Sequence, residues 1–119
     1  PSDIGYLSAH GTATSRGDCA ESNATASLFG NRTPVSSLKS FFGHTLGACG
    51  ALEAIFALRS MEEGFVSPIL NLKEPDPACA NLQYVRDAVR SLEQNVTMSN
   101  NFAFGGINTS LVFRRWLGE

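Results

Sequence analysis

Apolar positions fall into short runs separated by polar, glycine-containing segments, and their spacing changes from one run to the next. Residues 4–9 (IGYLSA) form a continuous apolar stretch ending at His10-Gly11, the pattern of a buried strand that opens into a loop. Residues 18–29 carry Ala20, Ala24, Leu28 and Phe29, with Gly30-Asn31 as a stop, and this predicts a helix. Asp18 and Glu21 lie one turn apart near its positive end, where carboxylates are favoured. Residues 34–37 read as a second short strand leading into a loop over 38–45. The strongest helical periodicity runs over 46–63, through Leu46, Ala54, Leu58 and Met61, with Gly64 as its end. Its first half, LGACGALEA, is rich in small residues that permit close packing. Residues 65–77 contain three prolines and read as extended loop, followed by a short segment at 82–85. Residues 96–102 and 107–113 flank Ala103-Phe104-Gly105-Gly106 and predict two antiparallel strands around a turn. This order predicts an α/β layer with a mixed sheet.

Composition narrows the function classes. The chain has 119 residues, 43% hydrophobic and 17% charged, which is enough for one domain with a core (residues 1–119). Nine basic against eleven acidic residues give a net charge of −2, with no block of like charge to neutralise phosphates, so no nucleic-acid partner is expected. The longest apolar stretch is interrupted by Glu53 and too short for a bilayer, and no signal-like segment precedes it. The expected setting is cytoplasmic, away from membranes. Pro1 stands first with no initiator Met, which reads as part of a larger polypeptide.

Cys19, Cys49 and Cys79 are spaced by thirty residues each, but their flanks (RGDCAES, LGACGAL, DPACANL) do not match, and the spacing reads as coincidence. No CxxC pair is present and neither histidine lies at metal-ligand spacing from a cysteine, so reduced thiols are expected.

Three glycine-containing loops concentrate polar chemistry: Ala9-His-Gly-Thr-Ala-Thr14, Lys39-Ser-Phe-Phe-Gly-His44-Thr-Leu-Gly47 and Asn100-Asn-Phe-Ala-Phe-Gly-Gly106. All follow predicted strands, where chemistry often sits. With the NLKEPDP stretch, these motifs resemble the elongating β-ketoacyl-acyl-carrier-protein synthases, condensing enzymes of the thiolase fold, over nearly the whole chain. The resemblance implies part of the C-terminal half of a thiolase-like fold, a mixed β-sheet covered by helices and ending in an antiparallel hairpin. It implies a decarboxylating Claisen condensation of malonyl carrier protein with an acyl thioester, in fatty-acid or polyketide-type synthesis. His10 and His44 match the family's catalytic histidines and Lys39 its lysine. Thr12 and Thr14 match the hydroxyls that hold the phosphopantetheine arm, and Phe104 matches the gating phenylalanine whose backbone N–H joins the oxyanion hole.

Two neutral imidazoles donating to a thioester oxygen suit enolate stabilisation. Lys39 is expected to pair with Asp18 and Glu21, which support the histidine loop, and Glu53, mid-helix among apolar residues, requires a partner. The resemblance further implies a structural cation near Glu21, Glu53 and Asn100, although Ser8 stands where a family asparagine often does. No resident cofactor is implied, because phosphopantetheine arrives on the carrier protein. The implied partners are that carrier protein, an N-terminal half of the same enzyme, and a second copy in a homodimer. Ala103 replaces a family glycine, from which a stiffer or differently timed gate is expected. None of the three cysteines sits on a nucleophile elbow, so the acyl-accepting thiol is expected outside this chain and the chain alone is expected to be inactive in condensation. Two alternatives remain: a non-catalytic partner subunit of the chain-length-factor kind, and a small pantetheine-binding or carrier-protein-binding module.

Overall fold

The computed structural model describes residues 1–118. Two layers of helix cover a five-stranded sheet whose centre is the first apolar run. Strand β1 (Tyr6–Ser8) pairs in parallel with β2 (Pro34–Ser36) on one side and with β6 (Val96–Ala103) on the other. Strand β4 (Gln83–Tyr84) continues the parallel set beyond β2, and β7 (Ile107–Arg114) closes the other edge antiparallel to β6, giving the order β4-β2-β1-β6-β7. The expected mixed sheet and terminal hairpin are therefore present. A separate two-residue ladder joins β3 (Phe65–Val66) to β5 (Arg90–Ser91), so the stretch read as loop from residue 65 begins with a strand.

Helix α1 (Ser15–Phe29) forms the crossover from β1 to β2. On its side of the sheet Leu7, Ala9, Val35, Leu82 and Phe29 form an apolar core. Alternation along β1 sends Tyr6 and Ser8 to the opposite face. There Tyr6 packs with Val66 and Val85, while Ser8, Ser36, Thr97 and Ser99 make the sheet surface polar although buried.

Helix α3 (Cys49–Glu63) follows a single 3-10 turn, Leu46–Ala48, and packs against β6; its buried positions Cys49, Glu53, Ala57, Ser60 and Met61 recur at helical spacing. Gly50 in its first turn faces the Asn101 side chain, which an added Cβ would meet at an ordinary contact distance of 3.7 Å. The segment read as loop over 38–45 contains one turn of helix, α2 (Lys39–Phe42).

The turn between β6 and β7 departs from expectation at Ala103. Its left-handed positions are Gly105 (φ +83°) and Gly106 (φ +82°), whereas Ala103 is the last residue of β6 and has no positive φ. Alanine there imposes no left-handed strain, which removes the stated reason for a stiffer gate.

Candidate functional site

The site forms where β1, β2 and β6 end and α3 begins. His10 leaves β1 on a loop held from below by Glu21 of α1. One carboxylate oxygen accepts the backbone N–H of His10 at 2.8 Å and the other that of Gly11 at 2.9 Å. Gly11 is required here: it sits at φ +45°, and an added Cβ would lie 2.6 Å from the Ser37 Cβ. Burial pushes the Glu21 carboxyl above its usual range, and the two N–H donors act against that shift.

His44 follows α2 on the second loop. Its ring lies edge-on to His10, with centroids 5.5 Å apart and an interplanar angle of 87°. The backbone N–H of Leu46 donates to His44 Nδ1 at 3.1 Å, and Leu46 takes a left-handed φ of +50° within this loop. The other histidine is oriented comparably, with Lys39 Nζ 3.5 Å from His10 Nδ1. An ammonium has only donors, so His10 Nδ1 accepts and its proton resides on Nε2; the same reasoning places the His44 proton on its Nε2. Burial first, then the Lys39 charge, holds the His10 pKa below its ordinary value, which favours the neutral ring.

Lys39 does not pair with Asp18 or Glu21 as expected; its ion-pair partner is Glu53. The physical reason is access. Both Glu21 oxygens already accept backbone donors, while Glu53, only 1% exposed on the face of α3 that covers the sheet, has no other salt-bridge partner among the described residues. The sequence expectation that Glu53 needs a partner is thereby met. Asp18 lies in the first turn of α1, with a buried carboxylate oxygen that has no protein partner.

Cys49 completes the cluster, and sequence reading treated it only as packing. Its thiol faces Glu53 Oε2 at 3.3 Å and Asn101 Oδ1 at 3.0 Å, and burial pushes its pKa up. Its position one helical turn before Glu53 was the available signal. Phe102 was also missed: its ring meets that of His10 with centroids 5.5 Å apart. Phe104, by contrast, is 97% exposed at the hairpin tip.

Thr12 and Thr14 sit with their hydroxyls 3.2 Å apart beside a cavity of about 790 Å³, whose walls also include Lys39, His44, Asp18 and Cys79. The donor set for the implied cation does not fit as these side chains stand. Each Glu21 oxygen already accepts a backbone N–H, the Lys39 ammonium pairs with Glu53, and Asn100 Oδ1 accepts the Ser110 hydroxyl at 2.7 Å. Among the described residues, the ligand atoms of His10, Cys49 and Glu53 do converge within 4.8 Å, but the Lys39 ammonium already occupies the Glu53 carboxylate. Among the described residues no helix is long and apolar enough to cross a membrane.

Two edge-on histidines, one backed by a buried Lys–Glu pair, thus stand at the ends of parallel strands on a thiolase-like fold. The chain belongs to the β-ketoacyl synthase family: residues 1–73 match that family's C-terminal domain. It is 42% identical over 113 residues to 3-oxoacyl-[acyl-carrier-protein] synthase 1 of Escherichia coli strain K12, covering 94% of this chain and 28% of that protein. Among solved structures, a β-ketoacyl synthase from Burkholderia phymatum STM815 superposes with a TM-score of 0.95 at 60% identity, over 97% of this chain and 28% of that one. A ketosynthase structure described as in complex with its type II polyketide acyl-carrier protein and bound to the hexaketide aligns with a TM-score of 0.90 at 35% identity, over 96% and 28% of the two chains. The chain thus spans little more than a quarter of the length of the relatives it matches.

Proposed function

We propose that this chain supplies the decarboxylation and enolate-stabilising half of a 3-oxoacyl-[acyl-carrier-protein] synthase. The observation that carries this reading is the histidine pair. Each ring has its Nδ1 facing a donor, Lys39 for His10 and the Leu46 N–H for His44, so each leaves an Nε2–H to donate. When a malonyl thioester loses carbon dioxide, the electron pair of the broken C–C bond moves into the thioester as an enolate. Two neutral N–H donors directed at its oxygen stabilise that charge. The enolate carbon then attacks an acyl thioester and expels its thiolate, forming the β-ketoacyl product.

The acyl-bearing thiolate belongs to a cysteine outside this chain. Cys49 is engaged with Glu53 and Asn101 and is driven toward the protonated form, so it is a poor acceptor. The carrier protein brings malonyl on its phosphopantetheine, and the Thr12 and Thr14 hydroxyls beside the cavity are placed to receive that arm. The 3-oxoacyl synthase relatives support the reaction class, and the carrier-protein complex of the polyketide relative supports the partner. Joint retention of His10, Lys39 and His44 counts against a non-catalytic partner subunit.

In the full-length enzyme, His44→Ala is expected to lower carbon dioxide release from malonyl carrier protein by about 100-fold or more, the usual worth of an oxyanion donor, while acyl transfer to the enzyme continues. Retained decarboxylation would remove the role given to His44.

A further inference from the structure

The fold separates the three cysteines into two kinds. Cys49, the first residue of α3, is buried in the site already described. Cys19, on the second turn of α1, and Cys79, in the segment between β3 and β4, come from positions 60 residues apart, yet their sulfurs lie 3.4 Å from each other and both residues are half-buried. The contact belongs to a docked segment. Asn23 Nδ2 donates to the Ala78 carbonyl at 3.3 Å, the Ala80 N–H donates to Ser22 Oγ at 3.1 Å, and the Cys79 N–H donates to the Asp76 carbonyl at 2.9 Å. The first two bonds lie on the same face of α1 as Cys19 and flank Cys79 on both sides, so the backbone around the sulfur pair is already held close.

We propose that Cys19 and Cys79 form a reversible disulfide, an oxidation site that fastens residues 72–80 to α1 at the rim of the cavity. The oxidant is a peroxide. One thiolate attacks a peroxide oxygen, breaking the O–O bond to give a sulfenic acid and, with hydrogen peroxide, a hydroxide that takes a proton to become water. The other thiolate attacks the sulfenic sulfur, forms the S–S bond and releases a second water. Two thiols and one hydrogen peroxide thus yield one disulfide and two waters, the thiol pair losing the two electrons that the peroxide gains.

The reduced pair is quiet at rest. The hydrogen bond the Cys19 thiol shares with Cys79, and then burial, push the Cys19 pKa up to about 11, so thiolate is scarce in the reduced pair. The outcome matters to the cavity because Cys79 and Asp18 both border it, and the bond would fix that wall.

The test uses the full-length protein, exposed to hydrogen peroxide, blocked with N-ethylmaleimide under denaturing conditions and digested without reductant. The expected result is a linked peptide pair containing Cys19 and Cys79, lighter than the sum of the free peptides by two hydrogens and lost on treatment with dithiothreitol, while Cys49 is recovered alkylated. Cys19→Ser and Cys79→Ser each abolish the linked pair. Hydrogen exchange over residues 72–80 slows on oxidation in the wild type and not in either variant. Recovery of both thiols alkylated after peroxide, or their separate oxidation to sulfinic acids with no linked peptide, overturns the proposal. This readout does not depend on the condensation activity, so it stands or falls apart from the functional reading.

Discussion

Burial and two neighbours of opposite charge set the protonation of His10. Burial and the Lys39 charge hold its pKa below 6.5, and the Glu53 charge opposes them. A histidine with a depressed folded pKa contributes stability that is fully present above its unfolded value and is lost as the pH falls through the folded one. This contribution therefore declines only on the acid side of about 6.5. Lys39→Met removes the positive charge and leaves Glu53 unneutralised, so His10 is expected to titrate at higher pH, read by imidazole NMR. The same substitution strands a carboxylate that is 1% exposed and is expected to cost about 3–5 kcal/mol. Adding Glu53→Gln removes the stranded charge and should recover most of that loss in urea unfolding. The histidines and the lysine were legible from their motifs. The choice of Glu53 over Glu21 as lysine partner was not, because it depends on which carboxylate the backbone has already claimed.

Elements place these residues through their ends. The β1–α1 loop, the α2–α3 loop and the β6–β7 hairpin each turn on glycine, and their existence was readable because glycine punctuates the chain wherever an apolar run stops. The one-turn helix α2 and the two-residue strands β3 and β5 were not readable, since so few residues give no period to detect. The hairpin yields a paired prediction. Gly105→Ala meets nothing within 4 Å but must hold φ near +83°, and is expected to cost about 1–2 kcal/mol of conformational strain. Ala103→Gly occurs in a strand end without positive φ and is expected to cost only about 0.5–1 kcal/mol of chain entropy. Thermal unfolding of the two variants compares these values. A larger penalty at Ala103 than at Gly105 would show that the turn is governed by packing rather than by backbone conformation.

Across the whole molecule, the parallel sheet is built from contacts distant in sequence: Tyr6 registers with Thr97 and Leu7 with Val35. Strand type followed from local pattern, but strand order did not, because nothing local encodes which distant run becomes a neighbour. One result of that order is that β7 lies at an edge, with Ile107, Leu111 and Val112 exposed along it and Trp116 and Leu117 exposed just beyond. An eight-residue edge strand carrying apolar side chains and no charge until Arg114 is a template for pairing with another chain. The chain studied alone is therefore expected to associate through this edge as its concentration rises. Val112→Lys places a charge near the middle of the strand, at a position 58% exposed, where it costs little in the folded state and opposes edge-to-edge contact. Sedimentation velocity should show a larger monomer fraction for the variant at equal concentration, with its circular dichroism spectrum unchanged. An identical size distribution with the fold intact would assign the association to a surface other than β7.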